Sequence, residues 1–419
     1  MVGMSARRSQ APILPSPASE GGTGRRLARG ESRATTRASA RSDVPAFMVM
    51  DVVAAAARLE AAGRRIIHME IGQPAAPAPA SAVAAAQAAV ATGRISYTPA
   101  LGNASLRQRI ARHYAERYGI EIDPERVVLT TGSSAAFMLA FLSIFEPGDR
   151  IAIASPGYPP YRNVLAALGC EAVPIEVTAA TRFALAPAAL LAAHREQPLK
   201  GVLVASPANP TGTMMTGEAL TALIRAAEGE GIAFISDEIY HGLDYAFPAQ
   251  TALSISADAV VINSFSKYFC MTGWRIGWMV APEPLVRPIE RLQQNLAISV
   301  PALSQVAAEA AFEGRDEMEA VKHGYEVNRR LLVEGLPRAG FDHFLPVDGA
   351  FYLYADVSRF CSDSFDFARR MLEEAGVAAT PGADFDPVHG RRFIRFCYAG
   401  ASAEVAEAVE RLTAWLKRG

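Results

Sequence analysis

The chain has 419 residues, 50% of them hydrophobic, and a net charge of −2 at pH 7. That length is too great for one small core, so two domains, or one large domain with an appendage, are expected. The charge balance excludes the basic excess of a typical nucleic-acid binder, and the lack of any apolar run of spanning length excludes a transmembrane helix. Cys170, Cys270, Cys361 and Cys397 are scattered and none falls in a CxxC pair. Neither disulfides nor a structural zinc is therefore expected, and a reducing cytoplasm is the expected compartment.

Residues 1–43 differ from the rest. Arg7, Arg8, Arg25, Arg26, Arg29, Arg33, Arg37 and Arg41 stand there against only Glu20, Glu31 and Asp43, with Ser, Gly, Pro and Ala between them. Such a composition cannot bury enough apolar surface to offset ordering, which predicts a disordered basic tail. A targeting leader is the sharper alternative, but the acidic residues and the missing amphipathic period argue against it. Gly21-Gly22-Thr23-Gly24 follows no strand and is given no phosphate-binding role.

From Val44 the pattern is regular. Asp51–Gly63 is expected as a helix capped by Asp51 and stopped by Gly63, and Ser105–Tyr118 as a second helix with a polar face. Short β-branched runs then alternate with helical stretches: Val127–Leu129, Ile151–Ile153, Val202–Val204, Phe234–Ile235 and Val260–Ile262, with helices at Ala135–Phe145 and Gly217–Glu230. This is the signature of crossover units and a largely parallel sheet. Ile276–Val280 follows too soon for a crossover and suits an added antiparallel strand. Beyond Pro301 come helical patterns at Ala302–Arg315 and Glu317–Glu334, then strands at Phe351–Ala355 and Phe393–Phe396. The fold class is α/β, a large domain followed by a smaller α+β one.

Polar residues cluster just after these strands, where open α/β sheets place ligands. In order they are Gly132-Ser133-Ser134, Tyr158, Asn209-Pro-Thr-Gly212, Asp237-Glu-Ile-Tyr240 and Ser264-Phe-Ser266-Lys267, with Arg395 near the far end. Lys267 is one of only four lysines and follows an apolar strand, with Arg275 eight residues on. A lysine partly desolvated near a cation has a lowered pKa and becomes a nucleophile toward carbonyls. Alone, it would read as a surface charge at a strand end.

The ordered set changes that reading. It resembles the class I aminotransferase group of fold-type I pyridoxal-phosphate enzymes, and Ser264-Phe-Ser-Lys-Tyr-Phe-Cys-Met-Thr-Gly-Trp-Arg-Ile-Gly-Trp278 is a close match to that family's lysine segment. The resemblance runs from about Val44 to the C-terminus. It implies a mostly parallel seven-stranded sheet between helices, with pyridoxal phosphate as cofactor. The implied division is a tail 1–43, an N-terminal arm 44–72 packing with the small domain, a large cofactor domain 73–300 and a small domain 301–419.

The resemblance also implies roles. Lys267 would carry the Schiff base and shuttle a proton, and Asp237 would keep the pyridine nitrogen protonated so that the ring is an electron sink. Tyr240 and Asn209 would hydrogen-bond the phenolic oxygen, and Asn209–Pro210 would be cis. Ser133, Ser134, Ser264, Ser266 and Arg275 would hold the phosphate, and Tyr158 would stack on the ring. Arg395, with Gly72 and Asn209, would bind the substrate carboxylate, a bidentate task suited to guanidinium. Tyr97 would reach a neighbouring subunit's phosphate, which implies a homodimer. No metal is implied, and no nucleic-acid or membrane partner is expected.

The activity so implied is ping-pong amino transfer from an L-amino acid to a 2-oxo acid. A β-eliminating lyase or a decarboxylase would keep the same cofactor residues, but Tyr240, Arg275, Arg395 and the Met-Thr-Gly-Trp-Arg run favour the transferase. A cofactor-sensing DNA-binding regulator would need a helix-turn-helix, for which residues 1–43 have neither length nor period. Ser134, with no lysine nearby, stands where some aspartate-preferring relatives carry a basic residue. Phe47, Tyr158, Tyr161 and Phe351 are candidates to line an apolar or aromatic side-chain pocket.

Overall fold

Twelve strands form in chain order: β1 Ile67–His68, β2 Val127–Thr130, β3 Arg150–Ser155, β4 Glu171–Glu176, β5 Gly201–Ala205, β6 Ala233–Asp237, β7 Val260–Ser264, β8 Gly277–Val280, β9 Tyr352–Asp356, β10 Val377–Ala378, β11 Thr380–Pro381 and β12 Phe393–Cys397. They come from a computed structural model that describes residues 36–93 and 95–418, and all of them lie in the compact unit Arg41–Gly419. The predicted disorder of the basic tail falls almost wholly on residues outside that description.

Seven strands make one sheet in the order β2-β8-β7-β6-β5-β3-β4. β4, β3, β5, β6 and β7 pair in parallel, and β8 is antiparallel to both β7 and β2, as its short connection predicts. β2, β7 and β8 are buried along their whole length, and β5 and β6 along all but one residue, which is why they read as continuous apolar runs rather than alternating ones. Helices Gly132–Ile144, Pro159–Leu168 and Glu283–Leu296 cover one face, and Pro187–Glu196 and Gly217–Gly229 the other. The second architecture is a three-stranded sheet, β11-β12-β9, beside the two-stranded pairing of β1 with β10.

Among the helix starts that differ from expectation, two have a visible cause. The first helix is Val49–Ala61, with Asp51 inside its first turn rather than at the cap. Met48, at the cap, offers no side-chain acceptor, and the Val49 amide instead donates to the Asp384 carboxylate at 3.4 Å. Asp384 therefore caps this end from far along the sequence. The second case is the helix expected from Ala135, which begins at Gly132 and takes Ser133 and Ser134 into its first turn. Gly132 sits at φ 74°, a left-handed turn that glycine alone makes without strain, so the chain passes from β2 into the helix three residues early.

Candidate active site

The C-terminal ends of the parallel strands meet at one place. β6 ends on Asp237, β7 on Ser264 three residues before Lys267, and the loop after β5 carries Asn209. The edge β2 feeds the Gly132–Ile144 helix directly. Asp237 ends its strand, and Lys267 and Asn209 stand only three and four residues past theirs, which holds all three close to a rigid sheet.

Lys267 is partly buried, and its Nζ donates to the Gly72 carbonyl. It lies 5.9 Å from the Tyr240 ring centre and 5.8 Å from that of Phe351. Burial, reinforced by the Arg395 and Arg275 charges, lowers its pKa to about 8. Asp237 is 4% exposed. Its Oδ2 accepts from the Tyr161 hydroxyl and its Oδ1 from the Ile239 amide at 3.1 Å. Burial nevertheless outweighs these bonds and the Lys267 charge, raising Asp237 to about 6. A carboxylate so placed favours a cationic partner.

Arg395 is 2% exposed. Its Nη1 donates to Asn209 Oδ1 at 2.8 Å, and Nη2 donates to the Glu70 carbonyl and to Thr380 Oγ1. Tyr352 and Phe385 flank the guanidinium, with ring centres at 4.5 and 4.7 Å. Its Nε is buried without a protein partner. The Asn209–Pro210 bond is cis, as expected, and so are Ser155–Pro156 and Ser206–Pro207. Gly72 has no alternative: a Cβ there would collide with the Tyr352 hydroxyl.

A second cluster surrounds the N-terminus of the Gly132–Ile144 helix, which receives no side-chain cap. A Cβ on Gly132 would lie 2.6 Å from Arg275 Nη2, and one on Gly277 would lie 3.1 Å from the Ser133 nitrogen. The close approach of Arg275 and the helix amides therefore depends on both glycines. Arg275 itself is in the left-handed region, φ 51°, with Nη1 donating to the Thr272 carbonyl at 2.9 Å. Ser264 Oγ lies 2.9 Å from Ser266 Oγ and 3.0 Å from the Ile276 carbonyl, so it braces the turn before the lysine. Thr272 does the same by donating to the Ser266 carbonyl at 2.8 Å.

Tyr158 packs edge-on against Phe47 and Tyr161, at 6.0 and 5.3 Å, and burial pushes its pKa up to about 12. Phe351 is fully buried between Tyr240 and Tyr325 and belongs to the core as much as to the site. Tyr97 stands apart from this constellation, 80% exposed. Two hydroxyl partners escape sequence reasoning: Tyr161 on Asp237, and Tyr352, whose Oη is 2.7 Å from that of Tyr240. Tyr161 was visible only as a pocket-lining candidate. Tyr352 had a signal in strand alternation, which puts it on the same face as Tyr354.

These residues fit a phosphorylated, carbonyl-bearing pyridine. An uncapped helix N-terminus with Arg275 against it suits a phosphate dianion, the buried Asp237 suits a protonated ring nitrogen, and a lysine of lowered pKa suits an aldehyde. The fit has a stability consequence. Because Asp237 holds its proton up to about pH 6 when folded but to about 4 when unfolded, its ionisation erodes cofactor-free stability as pH rises between those values. Asp237→Asn is accordingly expected to stabilise the cofactor-free protein by roughly 1–3 kcal/mol at about pH 8, while weakening cofactor binding. Urea denaturation at about pH 5 and about pH 8 checks it: the gain shrinks at the lower pH.

Comparison with known proteins agrees with this geometry. The family model for aminotransferase class I and II matches residues 64–412. The chain is 48% identical over 386 residues to a valine–pyruvate aminotransferase of Mycobacterium tuberculosis, covering 91% of this chain and 99% of the relative. It superposes with a TM-score of 0.89 on the crystal structure of an aminotransferase from Mycobacterium tuberculosis, at 47% identity over 92% of this chain and all of that one. With the aspartate aminotransferase of Thermus thermophilus, solved with maleate, the TM-score is 0.85 at 29% identity, over 90% of this chain and 99% of that one. The chain thus belongs to the class I and II aminotransferases, fold-type I enzymes that use pyridoxal phosphate to move an amino group from an amino acid to a 2-oxo acid.

Proposed function

We propose that this aminotransferase takes a small apolar, branched L-amino acid as donor and a short 2-oxo acid such as pyruvate as acceptor. The observation that carries the donor assignment is the aromatic cluster of Phe47, Tyr158 and Tyr161, together with Ser134 at the helix start, where some aspartate-preferring relatives carry a basic residue. An apolar wall gains from burying methyl groups and penalises an unpaired carboxylate. The valine–pyruvate activity of the 48% identical relative supports the same choice.

Within that reading, Lys267 and Asp237 are catalytic and Tyr240 assists them. When bound, pyridoxal phosphate supplies the carbonyl and the electron-accepting ring. Lys267 Nζ then moves the proton from the substrate α-carbon, and Asp237 holds a proton at the ring nitrogen. Tyr240 and Asn209 steady the phenolic oxygen, and Tyr158 lies on the ring face. Ser133, Ser134, Ser266 and Arg275 hold the phosphate, with Ser264 bracing their turn. Arg395 takes the α-carboxylate, helped by Asn209 and by Gly72, whose missing side chain leaves room.

Residues 44–72 and 301–419 work as the smaller domain over 73–300, an assignment supported by the pairing of β1 with β10 and of the first helix with Leu372 and Ala378. The active unit is a homodimer in the cytoplasm. Val90, Ile95, Tyr97, Leu296 and Ile298 leave large apolar surfaces exposed, and a bond from Thr98 to the Val300 carbonyl ties two of these segments together. A second copy covering that face would receive Tyr97 at its phosphate. Four unpaired cysteines suit a reducing compartment, and no helix among the described residues is long and apolar enough to cross a membrane.

Initial rates with pyruvate as acceptor and valine, aspartate or phenylalanine as donor test the assignment. Valine should exceed aspartate in kcat/KM by at least about tenfold. A preference for aspartate would overturn it.

A further inference from the structure

Tyr352 lies on β9 in register with Cys397 of β12, two residues along from the pair Tyr354 and Arg395 and so on the same face as that pair. Residues opposite one another in such a ladder share a face, so Tyr352 points toward the site. Its ring lies under the Arg395 guanidinium at 4.5 Å. Its hydroxyl fills the space that the absent Gly72 side chain leaves, and meets the Tyr240 hydroxyl at 2.7 Å with the two rings edge to face at 5.6 Å. Both residues are buried, at 1% and 4% exposure.

Two phenols so close share one hydrogen bond, in which one donates and the other accepts. If Tyr240 gives its own proton to the cofactor's phenolic oxygen, only Tyr352 is left to donate in their mutual bond. We infer that Tyr352 is a positioning residue that donates its hydroxyl to Tyr240 and so strengthens the hydrogen bond Tyr240 makes to the cofactor's phenolic oxygen. This rests on the reading of Tyr240 given above. The mechanism is hydrogen-bond polarisation: a phenol that accepts a bond donates a stronger one, most of all where water is excluded. Arg395 over the Tyr352 ring adds to it, because a nearby cation makes that hydroxyl a better donor.

The consequence is spectroscopic. The bound cofactor's visible absorbance titrates with pH, and the basic form leaves its phenolic oxygen as an unshared anion. Donation to that oxygen favours the basic form and lowers the midpoint. Tyr352→Phe removes one hydroxyl and keeps the ring, so the holoenzyme's midpoint should rise, by about half a pH unit for one weakened bond. Tyr240→Phe should raise it further. The double variant should match Tyr240→Phe alone, because Tyr352 acts only through Tyr240.

The outcomes separate the two claims. An unmoved midpoint in Tyr352→Phe beside a raised one in Tyr240→Phe overturns the role of Tyr352 and leaves that of Tyr240 standing; a lower melting temperature alone would mark simple packing. An unmoved midpoint in Tyr240→Phe sinks the reading of Tyr240 itself. Fully additive shifts would also count against the relay.

Discussion

Replacing Lys267 by alanine is expected to reduce amino transfer by on the order of 10⁴-fold or more, with the protein still folded and still able to bind the cofactor without covalent linkage. The structure gives Lys267 what this chemistry requires. It sits directly after β7, partly buried, with its amine held by the Gly72 carbonyl. Burial and the charges of Arg395 and Arg275 bring its pKa down to about 8. The sign matters for function: the neutral amine is the nucleophile, so covalent capture of the cofactor should speed up as pH rises toward about 8 and level off above it. Of the other described lysines, Lys200 and Lys417 are exposed and Lys322 lies on the Arg315–Gly335 helix. Turnover of a donor and acceptor pair, measured with gel-filtered holoprotein, checks the loss. Activity within tenfold of wild type would remove Lys267 from the mechanism.

Arg395→Ala should have the next largest effect, by a different route. The guanidinium is fixed by Asn209, the Glu70 carbonyl and Thr380, and clamped between the Tyr352 and Phe385 rings. On the proposed reading, removing it leaves the substrate carboxylate without its buried cationic partner. Truncating one partner of a buried, hydrogen-bonded charge pair costs about 2–5 kcal/mol, so kcat/KM for the amino acid should fall roughly 30- to 5,000-fold. Arg395→Lys should not restore it, because an ammonium cannot reproduce the fork that bonds Asn209 and Glu70 on one side and a carboxylate on the other. Steady-state kinetics on both variants test this, with the rate of cofactor capture as a control that should hardly change. Recovery by lysine would mean that charge alone suffices.

Much of this was legible in the sequence because its signals are local. Val260–Ile262, Val202–Val204 and Val127–Leu129 are short, β-branched and ended by polar residues, and the polar residue that ends each run is where the site lies. Arg395 announced itself as a charge in an apolar strand that had to find a partner. The antiparallel β8 followed from too short a connection. What escaped lacked such signals. β4 carries Glu171, Glu176 and Pro174, features of an edge strand that blur its period. Eight of the twelve residues of the Ala80–Ala91 helix are alanine, which has high propensity but leaves no amphipathic stripe to read. The bonds from Tyr161 to Asp237 and from Tyr352 to Tyr240 join residues 76 and 112 positions apart. Only the tertiary fold brings those partners together, and the cap that Asp384 lends to Val49 is invisible for the same reason.

The most direct test of the account is a pair of half-reactions followed by absorbance. With holoprotein and no acceptor, adding valine should abolish the cofactor's visible band and release one branched 2-oxo acid per site. Adding pyruvate should then restore the band and yield alanine. A band that persists with every amino donor, or one lost with release of ammonia instead of return by pyruvate, would contradict amino transfer as the work of this site.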